Sequence, residues 1–247
     1  MNVVMKFGYD GRDFSGYQRQ PDTRTVQGEF EQVLGILFRE EITLHSSGRT
    51  DTGVHAVGQV ASFSSTQTIG IPALKRALRK MLPRDIKLEQ LTHCPESFHP
   101  RFDAIGKHYR YICTLNDRLF ERPYVHYVKE APNMEEMKKA VFYLKGVQDF
   151  SSFSNRRKGE GDKRRDLWAI EIHQKDDRII FDLFADGFLY RMARVLVQYL
   201  LHVGWGRLPA EATREILDSK QRHKTRLLAP PHALYLMDVY YSSDLFA

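Results

Sequence analysis

From Asn2 to Tyr9 the apolar residues gather in a short run that reads as a strand, and Val26, Phe30, Val33 and Leu37 then recur at helical spacing. A helix over Val26–Glu40 is predicted, after a long loop. Ile42–His45 and Gln59–Ser64 predict short strands, Pro72 opens a helix burying Leu74, Leu78 and Met81, and Ile86–Leu91 predicts another strand. The order is βαββαβ.

Past a link around Pro95–Ile105 the pattern begins again with a strand over His108–Leu115 and a helix over Met134–Leu144 that carries Met137, Val141 and Leu144 on one face. Strands over Leu167–His173 and Ile179–Ala185 meet at Asp176-Asp177-Arg178, the clearest hairpin in the chain. A long apolar helix over Leu189–Val203, a shorter one over Ala210–Ser219 and a strand over Leu234–Tyr241 follow. The second half thus reads βαββα(α)β, although no sequence repeat links it to the first.

This order is the ferredoxin-like arrangement, an α+β fold in which helices cover one face of an antiparallel sheet and leave the other available. Two such halves, residues 1–105 and 106–247, are expected to join edge to edge into one extended, mainly antiparallel sheet. Open sheet faces bearing aromatic and basic residues are a known way of holding RNA.

Charge points the same way. The chain has 247 residues, 37 Lys and Arg against 31 Asp and Glu, a net charge of +6 and a pI near 9.2, which favours a polyanionic partner. A merely basic protein fits those figures too. Cys94 and Cys113 are too few for a disulfide framework or a Cys-rich zinc site, so a reducing cytoplasm is the expected setting. The N-terminus meets charge within a few residues and no run of apolar residues is long enough to span a bilayer, so neither a signal peptide nor a membrane segment is expected.

The chemistry concentrates in Gly48-Arg49-Thr50-Asp51-Thr52-Gly53-Val54-His55-Ala56, where one carboxylate stands between two glycines and beside an arginine. Such a stretch between strands is a tight turn, whether or not it also reacts. It matches neither the phosphate-cradling nor the dinucleotide glycine motif, so a nucleotide cofactor gains nothing from it.

That run, with Gly58-Gln59-Val60 following, resembles the catalytic motif of the TruA family of tRNA pseudouridine synthases. Tyr9-Asp10-Gly11, Phe14, Gly16 and Gln18-Arg19-Gln20 resemble the family's opening motif, and Arg24 to Glu29 its first helix start. Lys107, Tyr109-Arg110-Tyr111, then Phe188 to Arg194, then Ala229-Pro230-Pro231 with Leu234-Tyr235-Leu236 continue the likeness in order. Departures stand at Tyr17, where the family commonly has Trp, His108 for Thr, Val195 for Asn and Ala233 for Gly. They bear on which RNA sites are chosen.

The resemblance implies a cofactor-free, metal-free isomerase that turns uridine into pseudouridine at positions 38 to 40 of the tRNA anticodon stem-loop. It implies a homodimer and an active site in the cleft between the halves. Asp51 becomes the catalytic nucleophile or base, and three routes stay open to it: attack on C1′, attack on uracil C6, or removal of the ribose 2′ proton. Arg194 is the candidate charge partner, since a buried guanidinium on an apolar helix needs one; on a solvated stripe it would not. Tyr109, alternating with Arg110 along its strand, is the candidate base stack, and Leu234 an apolar wall.

A uridine must leave its stack before a carboxylate reaches its sugar, and Arg49 and His55 flank Asp51 where a side chain can take the vacated place. Arg49 equally suits a phosphate contact. His55 reads as an RNA contact or turn residue and not a metal ligand, since no His/Cys cluster surrounds it in sequence. Arg12, Arg19 and Arg24 dot the first loop, Lys75, Arg76, Arg79 and Lys80 share the second helix, and Arg156-Arg157-Lys158 with Lys163-Arg164-Arg165 border a loop diluted by Glu160 and Asp162. A paralogue that modifies another RNA or a narrower set of uridines, and a module that binds RNA without catalysis, are the rival readings.

Overall fold

A computed structural model describes residues 1–155, 161–222, 227–243 and 245–246. Contacts divide the chain into a first unit, Met1–Ile105 with Tyr235–Ala247, and a second, Gly106–Leu234. The last strand therefore clusters with the first unit, where the sequence reading grouped it with the second half.

In the first unit, β1 (Asn2–Tyr9) is central. It pairs antiparallel with β3 (His55–Ser64) on one side and β4 (Ile86–His93) on the other. Two elements share the far edge of β3: β2 (His45–Ser46) lies antiparallel against Ser62 and Ala61, and β10 (Leu234–Tyr241) lies parallel against His55 and Ala56. Alternation sends Val3, Met5 and Phe7 to one face of β1. There Phe7 meets Phe30 of α1 (Val26–Phe38) at 4.5 Å between ring centres, and Phe38 meets Phe63 at 5.5 Å.

Thr25 caps α1, its hydroxyl accepting from Gly28 N–H at 3.2 Å, and Arg39 in the left-handed region (φ 54°) stops the helix before Glu40. The strand expected over Ile42–His45 shrinks to His45–Ser46. Glu31 and Gln27 of α1 explain this: Glu31 Oε1 takes Leu44 N–H at 3.0 Å and Gln27 Nε2 donates to Leu44 O at 3.3 Å. Helix side chains thus satisfy backbone groups that a ladder would have used. β3 starts four residues earlier than expected. In α2 (Ile71–Met81), Leu74 and Leu78 are buried but Met81, the last residue of the helix, is 38% exposed.

The second unit's sheet runs β5 (Ala104–Thr114), β9 (Arg178–Ala185), β8 (Arg164–Lys175), β7 (Gly146–Asp149), all neighbours antiparallel, with β6 (His126–Tyr127) parallel to the end of β5. The hairpin falls where expected, Asp176 taking φ 54° and Lys175 facing Arg178. β6 and β7 carry too few apolar residues to announce themselves. α3 (Met134–Leu144) is capped by Asn133, which accepts from Glu135 and Glu136 N–H.

α4 (Met192–Gly204) is buried almost all round and is the centre of this unit's core. It begins at Met192 and not Leu189, because Arg191 adopts φ 62° and cannot continue a right-handed helix. A Cβ on Gly204 would lie 2.6 Å from Pro132 Cβ, so the glycine sets the approach of α4 to the segment leading into α3. α5 (Ala212–Ser219) is tied to it by Tyr199 Oη and Thr213 Oγ1, 2.9 Å apart. No helix among the described residues is long and apolar enough to cross a membrane.

Candidate active site

Asp51 opens a turn closed by Val54 N–H donating to Asp51 O at 3.1 Å, with Gly53 at φ 78° in its third position. Only glycine takes that φ without strain. Asp51 is part-exposed and Arg49 and Thr52 are exposed, so this segment's side chains reach the surface.

The backbone of the turn is fastened on several sides. Before it, the fully buried Gln59 accepts from Ser47 Oγ at 2.7 Å and Val60 N–H at 3.1 Å, and donates to Gly48 O at 3.0 Å. Tyr17 N–H donates to Thr50 O at 3.2 Å, and Tyr9 Oη lies 2.8 Å from Thr50 Oγ1. Gly16, at φ 94°, passes so close that a Cβ would meet Thr50 O at 3.1 Å and Thr52 N at 3.3 Å. Burial lifts the Tyr9 phenol to about 12 despite its bonds to Thr50 and Gln59, so it keeps its proton near neutrality.

His55 is 3% exposed and stacks on Tyr235, ring centres 4.8 Å apart. Its Nδ1 accepts Gly11 N–H at 3.0 Å and also lies 3.3 Å from Asp10 Oδ1. An amide always donates, so Nδ1 carries no proton and the Asp10 contact is not a charged pair through it. Of the two expectations for His55, RNA contact or turn residue, its burial and its bond to Gly11 favour the turn residue.

The first-loop arginines are engaged within this unit. Arg24 forks onto Asp85 at 2.6 and 3.0 Å, gives Nε to Glu29 at 2.6 Å and lies over the Phe14 ring; the Asp85 bonds above all raise its already high pKa. These bonds make it a staple between the loop, the helix and the start of β4. Arg12 bonds both oxygens of Asp10, and Arg19 Nη1 lies 3.2 Å from Glu31 Oε2. On α2, Arg79 donates to the carbonyls of Leu88 and Glu89 while Arg76 and Lys80 stand exposed. Arg156, Arg157, Lys158 and Glu160 lie outside the described residues, and Arg164 is paired to Asp162 at 3.0 Å.

In the second unit, alternation along β5 puts Tyr109 and Tyr111 on one face and His108 and Arg110 on the other. Tyr109 is 9% exposed and meets Phe188 edge to face at 5.0 Å. On the opposite face Asp182 accepts from His108 Nε2 at 2.6 Å and from Arg110 Nε and Nη2 at 2.8 and 3.0 Å. Burial alone would raise the Asp182 carboxyl; those bonds more than reverse it and hold it below the usual range.

Arg194, in the first turn of α4, is 7% exposed, which removes the solvated-stripe reading. Its Nε donates to Ala229 O at 2.8 Å, and Ala229 N–H returns to Arg194 O at 3.2 Å. Leu234 is 5% exposed at the start of β10. Tyr17, Val195 and Ala233, where the chain departs from the resembled pattern, are all buried, and His108 is the Asp182 partner.

Chemically, the first unit offers one part-exposed carboxylate on a turn that its neighbours immobilise, the prerequisite for placing a reactive oxygen accurately. Among the described residues no group of His, Cys, Asp and Glu is arranged to hold a metal. The supporting roles of Gln59, Gly11 and Tyr235 are not assigned from the sequence, although all three stand in the resembled motifs; an amide following a glycine-bounded turn is the available signal for Gln59.

A family model described as tRNA pseudouridine synthase matches residues 7–103 and 140–242. The chain is 39% identical over 243 residues to tRNA pseudouridine synthase A of Anoxybacillus flavithermus, covering 98% of this chain and 99% of the relative. It is 40% identical over 238 residues to tRNA pseudouridine synthase A 1 of Bacillus cereus (95% and 96% covered) and 36% identical over 247 residues to tRNA pseudouridine synthase A of Bacillus subtilis (98% and 100%).

Proposed function

This chain belongs to the tRNA pseudouridine synthase family, and on that premise we propose that it isomerises uridine to pseudouridine in tRNA with Asp51 as its catalytic carboxylate. The reaction breaks the C1′–N1 bond, turns the uracil and joins C5 to C1′. A proton leaves C5 and one is gained at N1, so nothing is oxidised and no group is added. A carboxylate acting as nucleophile or base suffices for that balance.

The observation that carries the reading is the acid loop itself: Asp51 sits in the family's matched segment, on a turn fixed through Thr50, Gln59, Gly16 and His55. Tyr109 and Leu234 serve as the aromatic and apolar contacts of the flipped uracil, and Arg194 as the guanidinium that favours the ionised acid. Arg49, exposed beside Asp51, contacts the RNA. The reading extends to positions 38 to 40 of the anticodon stem-loop, to a homodimer and to the cytoplasm, where tRNA is matured.

Tritium release from tRNA labelled at uracil C5, with pseudouridine mapping of the product, tests it. Release that maps to positions 38 to 40 and vanishes in Asp51→Ala is the expected result. Intact tRNA binding with no release from the wild type would leave an RNA-binding module only.

A further inference from the structure

Behind Arg194 lies a chain of buried and part-buried polar contacts that the proposed chemistry does not use. Ala229 O receives Arg194 Nε, and the next carbonyl, that of Pro230, receives the phenolic proton of Tyr111 at 3.0 Å. Tyr111 Oη also lies 3.2 Å from His126 Nδ1. A phenol has one proton, and a proline carbonyl only accepts, so that proton is committed to Pro230 and His126 Nδ1 must be the donor to Tyr111. The parallel pairing of β6 with β5 sets His126 opposite Cys113, next along β5 from this phenol on the same face. Two residues past Pro230, His232 Nε2 lies 3.2 Å from Val125 O, the residue before His126. Residues 229–232 are thereby tied to β5 and to the approach of β6.

We propose that Tyr111 and His126 are positioning residues for Arg194: they hold the Ala229-Pro230 carbonyls and so fix the direction of its guanidinium. Packing alone does not require the hydroxyl. Tyr111 is fully buried, a phenylalanine would fill nearly the same volume, and a buried hydroxyl is costly unless bonded. One of its bonds goes to the segment that grips Arg194, and the other comes from His126, which orients the phenol towards that segment. Burial keeps the Tyr111 phenol protonated, and burial with the neighbouring His232 holds His126 at about 4, so the donor and acceptor pattern persists at neutral pH.

The inference rests on the pseudouridine synthase reading for its kinetic consequence only, and its test has a second readout. In Tyr111→Phe, single-turnover pseudouridine formation is expected to fall about 10- to 100-fold. Affinity for tRNA should stay within about twofold, since the change alters the aim of one group and not the binding surface. In an Arg194→Lys background, Tyr111→Phe should cost little more, because both changes act on one element. His126→Asn, which keeps an N–H near the Nδ1 position, should retain most of the rate that His126→Leu loses; this pair carries the test should Tyr111→Phe not fold. Independently of activity, the Arg194 Nε–H resonance should lose protection from hydrogen exchange in Tyr111→Phe and in His126→Leu. Unchanged protection overturns the proposal, as do wild-type rates in these variants or losses that multiply with Arg194→Lys. A wild type that forms no pseudouridine would instead sink the functional reading and leave the exchange measurement to decide this one.

Discussion

Gly11 N–H donates to His55 Nδ1 at 3.0 Å, so the chain leaving the first strand hangs on an imidazole that follows the acid turn. The approach is close enough that a Cβ on Gly11 would lie 2.1 Å from Val54 O, and both atoms are backbone or backbone-bound. Neither side can yield by rotating a side chain. Gly11→Ala is predicted to displace the Asp51–Val54 turn, to cost about 2 kcal/mol or more of stability and to lower turnover by more than the unfolded fraction explains. Urea unfolding beside single-turnover rates checks it; wild-type stability and rate together would show that the two segments part freely.

The contact between Tyr9 and Thr50 makes a second prediction. Each hydroxyl is buried and the two are 2.8 Å apart, with Gln59 as the further partner of Tyr9. Thr50→Val and Tyr9→Phe should each cost about 1–2 kcal/mol, and the double variant clearly less than their sum, because the first change already breaks the bond. Strict additivity in urea melts would mean the hydroxyls do not depend on one another.

These supports show what the sequence could and could not convey. Elements with a strong apolar period, β1, α3 and the hairpin of β8 with β9, are legible to within a few residues, since burial of one face selects them. The boundaries of α1 and α4 are set instead by Arg39 and Arg191 in left-handed conformations, which no local propensity of arginine announces. The strand read over Ile42–His45 failed for a tertiary reason, the capture of Leu44 by Glu31 and Gln27. At the site, Asp51 is legible because glycines and a resembled motif surround it. The ion pairs of Arg24 with Asp85 and Glu29 are not, since a basic residue near a basic loop looks alike in sequence whether or not carboxylates of the fold meet it.

Acid should act on the second unit through His126. Its pKa is lowered by burial to about 4 in the folded protein against 6.5 for the free side chain, so below 6.5 the unfolded chain binds the proton first. The stability that depends on neutral His126 is therefore complete above pH 6.5 and is lost as pH falls towards 4, by roughly 2–3 kcal/mol. His232, also lowered by burial, adds a loss of the same sign. His126→Leu should make the pH dependence of the urea midpoint shallower across that window while leaving the His232 part. Parallel curves for the two proteins would contradict the assignment.

Salt separates the arginines that meet RNA from those that meet carboxylates. Neutralising a phosphate releases counterions, so each such contact contributes about 0.7–0.9 to the slope of log affinity against log salt. Arg76 and Lys80 stand exposed on α2, whereas Arg24 already faces two carboxylates of its own unit. Arg76→Gln with Lys80→Gln is predicted to weaken tRNA binding and flatten its salt slope by about one to two. Arg24→Gln should leave the slope unchanged and instead lower the unfolding midpoint, because what it removes is the staple between the first loop, α1 and the start of β4. Filter binding of tRNA across a salt series reads both variants. A slope that falls with Arg24→Gln and holds with the α2 pair would exchange their roles, placing the RNA along the first loop and making the basic face of α2 ordinary solvated surface.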